Sequence, residues 1–289
     1  MSKHLADISN DPRVLDIIHA ALKEDIGSGD HSSLSCISDS KVSAARLIFK
    51  DTGIAAGLNI AYTILKLNDP DVEIEVFKQD GDAVAYGDIG FTAKGKAHGL
   101  LKSERLLLNI MQRLSGIATI TRKAQDKISS YPTKVLDTRK TTPNLRVLEK
   151  WAVTAGGGAN HRFGLYDMIM LKDNHIDVSG GISNAIQKAQ QYLKDNRLDL
   201  GIEVETRNLE EVQQALDAMP VQRIMLDNFS PELTAEAVKL INKRCETEAS
   251  GGITLDNIEQ YAAAGVDFIS LGMLTHSVKS LDISFKIII

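Results

Sequence analysis

From residue 133 to residue 271 the chain repeats one pattern, a short apolar run followed by a helical stretch. Strand-like runs fall at 133–137, 168–171, 201–205, 223–226, 245–249 and 268–271, and helical periodicity occupies 145–155, 183–193, 209–219, 231–242 and 255–264. Strands separated by helices pair in parallel, either in an open sheet or in a barrel. The polar residues decide between the two. Asp137-Thr138-Arg139-Lys140, Lys172-Asp173-Asn174-His175, Glu205, Asp227-Asn228, Ser250-Gly251-Gly252 and Gly272 each stand at a strand end. That distribution fits βα loops converging on one barrel mouth, whereas a doubly wound sheet gathers such groups at one switch point. Six units are fewer than the eight of a full barrel, so closure is inferred rather than counted.

Upstream the pattern differs. Residues 14–23 read as a helix with Ile17, Ile18, Ala21 and Leu22 on one face. Gly27 and Gly29 favour a turn over a metal site at Asp30 and His31. β-like runs follow at 44–50, 72–78 and 89–96, with a turn at 79–82 and a helix expected over 53–66. Residues 103–129 read as helical, with a break suggested at Ser115-Gly116. These elements predict a small α+β domain over 1–115, ahead of a barrel over 116–275.

Composition narrows the function. A formal charge of −5 argues against a general electrostatic grip on nucleic acid or anionic lipid. Cys36 and Cys245 lack metal or redox spacing, residues 1–10 lack an apolar signal core, and the uncharged stretch 53–65 is too short to span a bilayer. A cytoplasmic protein is expected.

In an acidic chain, Arg139, Lys140, His161, Arg162 and Lys172 within one βαβ unit imply a polyanionic ligand. Any one of them alone reads more simply as a solvated cation. Glu205 and Asp227 end successive strands and suit Mg²⁺ held with a phosphorylated substrate, or else salt bridges to those cations. Glu203 shares the strand face of Glu205, and the C-terminal position favours Glu205 as the ligand. Ser250-Gly251-Gly252, ahead of a helix expected near Thr254, and Gly272 suit either a phosphate or two ordinary tight turns.

The motifs DTRKTTPNLR (137–146), GGGANHRFGLYDMIMLKDNH (156–175), EVE (203–205), IMLDNF (224–229), SGGI (250–253) and DFISLGMLTHS (267–277) resemble those of the quinolinate phosphoribosyltransferase family. EDIGSGDHSS (24–33) and ERLLLNIMQRLSGIAT (104–119) extend the resemblance over nearly the whole chain. It implies an α/β sandwich beside an incomplete, TIM-like βα barrel, with the tail 276–289 returning to the sandwich. The implied activity is that of a type II phosphoribosyltransferase, a pentosyltransferase that moves phosphoribosyl from phosphoribosyl pyrophosphate to quinolinate with loss of CO₂.

By that resemblance Arg139, His161, Arg162 and Lys172 hold the quinolinate carboxylates, and Arg105 reaches in from the second subunit of a homodimer. Lys140, Glu205 and Asp227 serve phosphoribosyl pyrophosphate and its Mg²⁺, while Ser250, Gly251, Gly252, Gly272 and His276 surround the 5′-phosphate. The Arg105 helix also carries Leu106, Leu107, Leu108, Ile110 and Met111, more apolar surface than one core-facing stripe requires. Asn144 stands where the family often has Gly, and Asn tolerates a left-handed backbone. Rival readings are a nicotinate phosphoribosyltransferase, another barrel protein for anionic small molecules, and a non-catalytic sensor of phosphorylated metabolites.

Overall fold

The computed structural model describes residues 5–288 and divides the chain into two compact units. The first comprises Met1–Arg122, Thr141–Gly157 and Met273–Ile289, and the second Lys123–Lys140 and Gly158–Gly272. In chain order the elements begin with α1 (Pro12–Ile26), α2 (His31–Cys36), β1 (Val42–Phe49), β2 (Gly53–Ile54), α3 (Leu58–Asn68), β3 (Glu73–Val76), β4 (Ala83–Val84), β5 (Ile89–Lys96) and α4 (Ala97–Lys127). They continue with β6 (Lys134–Leu136), α5 (Arg146–Ala155), β7 (Ile169–Leu171), α6 (Asp173–Ser179), α7 (Ile182–Asn196), β8 (Ile202–Thr206) and α8 (Leu209–Asp217). The last are β9 (Arg223–Asp227), α9 (Pro231–Ile241), β10 (Glu246–Ser250), α10 (Ile258–Ala263), β11 (Phe268–Ser270), α11 (Met273–His276) and β12 (Ile283–Ile288).

The first unit is built on an antiparallel sheet ordered β12-β1-β5-β3. Alternation along β1 buries Ala45, Leu47 and Phe49 completely. Phe91 of β5 meets the ring edge of Tyr62 from α3 at 5.2 Å and lies 6.0 Å from Phe285 of β12. In the tail, β12 pairs with β1 from Ala44↔Ile288 to Phe49↔Ile283.

Two expectations need correction here. Residues 53–66 are not one helix: Gly53–Ile54 pairs with β4, and α3 begins only after Gly57, whose φ of 96° suits glycine. Gly57 has no side chain to cap the helix, so Asp80, in the 79–82 turn, accepts from the Leu58 and Asn59 amides at 2.8 and 3.3 Å. Nor does α4 break at Ser115-Gly116. Ser115 Oγ accepts from Ala56 N at 3.0 Å, and a Cβ on Gly116 would overlap the Lys279 carbonyl. The pair serves close approach rather than helix termination. Residues 141–157 also pack in the first unit, although the sequence places them within the βα alternation: Trp151 Nε1 donates to Ala6 O, and Arg113 bonds Glu149, each at 2.7 Å.

The second unit holds a six-stranded parallel sheet ordered β6-β11-β10-β9-β8-β7, with Ala159 bridging Leu136 beyond β6. All five residues of β8 are buried, as in a barrel strand packed on both faces. Helices α8 and α9 start where Asn208 and Ser230 cap them. Two boundaries differ from expectation. Helix α6 begins directly after Lys172, where the sequence suggests only a strand end. Helix α10 starts at Ile258 rather than near Thr254, because Asn257 Oδ1 accepts the Thr254 amide at 2.7 Å and closes a turn first. No helix among the described residues is long and apolar enough to cross a membrane.

Candidate active site

The ends of the parallel strands position the polar groups. At β6, Asp137 is fully buried and accepts from His161 N at 2.9 Å, which ties the two motifs together. Thr138 Oγ1 then accepts from Lys140 N at 3.0 Å, a turn that leaves Arg139 and Lys140 exposed. At β7 and β8, Lys172 Nζ lies 2.8 Å from Glu205 Oε2.

At β9, Asn228 adopts φ 57° and its side-chain amide donates to Asp227 Oδ2 at 2.6 Å. Burial raises the Asp227 carboxyl above its usual value, and the Glu205 carboxylate adds to the rise. Two carboxylates that disfavour each other's charge suit a divalent cation, so Glu205 and Asp227 fit Mg²⁺. Ser250 ends β10 in register with Asp227, and Gly251 and Gly252 follow at φ 89° and 63°. A Cβ on Gly251 would overlap Asn228 Oδ1. Asn144, in the first unit, takes φ 67°, the left-handed turn expected of it.

Burial lowers the half-buried Arg162 guanidinium from its usual value, and Arg139's positive charge lowers it further. Its Nη1 donates to Met168 O at 3.0 Å. Like charges held this close favour an anionic ligand between them.

Deeper lies a charged cluster that sequence reasoning missed apart from His161 and Glu203. His161 Nε2 lies 3.0 Å from Glu203 Oε2 and 3.4 Å from Glu248 Oε2. Arg223 Nη1 lies 2.8 Å from Glu248, Nη2 2.9 Å from Glu246, and the guanidinium sits 4.2 Å from the Phe268 ring centroid. Burial pushes the Glu203 and Glu248 carboxyls upward, while Arg223 pulls both down. His161, Glu203 and Glu248 have ligand atoms spaced as for a metal, but Arg223 already supplies positive charge there. The signal was present in the period-two spacing of Glu203 with Glu205 and of Glu248 with Ser250.

Arg139, Lys140, His161, Arg162, Lys172, Glu205, Asp227, Ser250, Gly251, Gly252 and Gly272 all belong to the second unit. His276 ends α11 and Arg105 lies on α4, both in the first unit. Leu106, Leu107, Leu108 and Met111 are buried there, so the apolar surplus of α4 is consumed in its own core. Arg105 is exposed and lines a 310 Å³ cavity with Glu24, Asp25, Asn109, Arg113 and Glu149.

Residues 30–115 match the N-terminal domain of quinolinate phosphoribosyl transferase, and residues 117–286 match its C-terminal domain. Quinolinate phosphoribosyltransferase (decarboxylating) 1b of Nicotiana tabacum is 46% identical over 286 residues, covering 94% of this chain and 81% of its own. A probable nicotinate-nucleotide pyrophosphorylase (carboxylating) of Bacillus subtilis is 46% identical over 264 residues, covering 91% and 90%. The crystal structure of NadC from Streptococcus pyogenes superposes with a TM-score of 0.91 at 40% identity, covering 95% of each chain. With both domains matched in order along nearly its whole length, the chain belongs to the quinolinate phosphoribosyltransferase family.

Proposed function

We propose that this chain transfers the phosphoribosyl group of phosphoribosyl pyrophosphate to the ring nitrogen of quinolinate, releasing pyrophosphate and CO₂ and forming nicotinate mononucleotide. The observation that carries this reading is the meeting of Arg139, Arg162 and Lys172 with Glu205 and Asp227 at the strand ends of one parallel sheet. Cations on that scale suit a dicarboxylate, and the carboxylate pair suits a metal-bound diphosphate. The rival sensor would have no use for both sets.

Arg139, Arg162 and Lys172 hold the two carboxylates above the buried His161, and orientation of the ring nitrogen toward the ribose follows from that clamp. Lys140, exposed beside the clamp, meets the pyrophosphate as negative charge builds on it. Glu205 and Asp227 would hold Mg²⁺, which when bound neutralises charge on the leaving pyrophosphate. The glycine turn at Gly251 and Gly252, with Ser250 and Gly272, receives the 5′-phosphate.

In the reaction the nitrogen–C1′ bond forms as the C1′–oxygen bond to pyrophosphate breaks. The pyridinium charge then stabilises the electron pair left at C2 when CO₂ departs, and C2 takes up a proton from solvent. A homodimer in which Arg105 completes the partner's site is part of the same reading. It is supported by the absence, among the described residues, of any hydrogen bond or ion pair made by Arg105. Two unpaired cysteines suit a reducing, cytoplasmic setting.

The test is incubation with phosphoribosyl pyrophosphate, Mg²⁺ and either quinolinate or nicotinate. Quinolinate is expected to be used at least tenfold better, since nicotinate leaves clamp cations unpaired at about 2 kcal/mol. Nicotinate mononucleotide and CO₂ should appear in equal amounts. Equal use of both acids, without CO₂, would defeat the proposal.

A further inference from the structure

We infer that His161 is a positioning residue: Glu203 and Glu248 hold its ring with the proton on Nε2, so that Nδ1 receives the Arg162 backbone amide and fixes the clamp arginine. The inference deepens the quinolinate reading and rests on it for the role of Arg162.

Nδ1 takes a hydrogen bond, and Nε2 lies buried at ion-pair distance from two carboxyl groups. Arg162 N donates to Nδ1 at 2.6 Å, so Nδ1 acts as an acceptor. The remaining ring proton is then on Nε2, which faces Glu203 Oε2 at 3.0 Å and Glu248 Oε2 at 3.4 Å. The opposite tautomer would set Nδ1–H against the Arg162 N–H and leave a bare nitrogen lone pair facing two carboxyl groups. Both ends of the ring therefore select the same form.

The holders are themselves held. Arg223 bridges Glu246 at 2.9 Å and Glu248 at 2.8 Å, lies on the Phe268 ring, and pairs in register with Glu203 across β8 and β9. His161 N is anchored on the buried Asp137. A continuous set of contacts thus runs from the barrel interior through His161 to Arg162, whose far end bonds Met168 O. A ring 8% exposed, with Nδ1 taken by the Arg162 amide and Nε2 turned toward Glu203 and Glu248, is poorly placed to grip a carboxylate as a cation. Its influence on quinolinate passes through Arg162.

Two measurements test this. In the ¹⁵N-histidine-labelled full-length protein, a long-range ¹H–¹⁵N spectrum should show His161, assigned by its absence in His161→Asn, with Nε2 protonated and Nδ1 bare. Adding quinolinate should leave that pattern unchanged. A doubly protonated ring, or a proton moving to Nδ1 on quinolinate addition, would overturn the inference.

Kinetically, His161→Leu should raise the KM for quinolinate about tenfold, the scale of one lost buried hydrogen bond, while the KM for phosphoribosyl pyrophosphate stays within about twofold. His161→Asn, whose Oδ1 can take the place of Nδ1, should recover most of that loss. Asn performing no better than Leu, with both variants folded by circular dichroism, would mean direct contact and refute positioning; the spectrum decides if Leu fails to fold. Absence of quinolinate turnover by the unaltered protein would defeat the proposed reaction, whereas the protonation pattern of the ring would still stand or fall by the spectrum alone.

Discussion

Lys172 Nζ lies 2.8 Å from Glu205 Oε2, joining a cation assigned to quinolinate with a carboxylate assigned to Mg²⁺. The two opposite charges neutralise each other, so removing either alters both halves. Lys172→Ala should raise the KM for quinolinate by tenfold or more, and should also strengthen Mg²⁺ binding by a smaller factor, because Glu205 loses its competing cation. Steady-state kinetics and a Mg²⁺ titration check the pair of effects. A variant with weaker Mg²⁺ binding would show that Lys172 does not compete for Glu205.

Arg162 and Asp227 lie on opposite sides of that division. Arg162→Ala should lose about 2 kcal/mol of transition-state stabilisation, expressed mainly as a higher KM for quinolinate. Asp227→Ala should instead demand more Mg²⁺ and raise the KM for phosphoribosyl pyrophosphate. Equal perturbation of both substrates by both variants would contradict the assignment of roles.

Arg105 tests the proposal that the site is shared between subunits. Arg105→Ala and Arg139→Ala should each leave little activity. If the site is formed across a two-fold, co-refolding the two variants restores part of it, since some mixed dimers contain one site free of both defects. No recovery, with subunit exchange verified by mass spectrometry, would confine Arg105 to its own subunit or remove it from the chemistry.

Asp80 ties stability to pH. Burial raises its carboxyl to about 6, against the pull of the Leu58 and Asn59 amides it caps. A folded-state value above the unfolded one of 3.8 means that ionisation costs the folded state more. The protonated form's stability is fully present below about 3.8 and is lost as pH rises through about 6. Relative to Asp80→Asn, which keeps an acceptor oxygen for the cap, the unaltered protein should lose about 1–2 kcal/mol across that window, allowing for partial exposure. Urea unfolding at pH 4 and pH 7.5 measures the difference, and a constant difference would refute the assignment.

The strands that carry the site were legible in the sequence because each is a short apolar run ending in charge or glycine. Every strand of the parallel sheet lies within a residue or so of its expected place. Asn144's left-handed turn was legible for a similarly local reason, a backbone preference of the residue itself. The family motifs, also local strings, identified the candidate site residues. Tertiary structure decided what depends on distant partners. The α4 helix runs through Ser115-Gly116 because Ala56 and Lys279 approach it there. Gly57 begins α3 because Asp80 supplies the missing cap. Glu203, Arg223 and Glu248 became one cluster around His161 only when strands far apart in sequence were laid side by side. A chain encodes its periodicities and backbone preferences residue by residue, but the protonation and orientation of a buried ring are set by the charges folding brings around it.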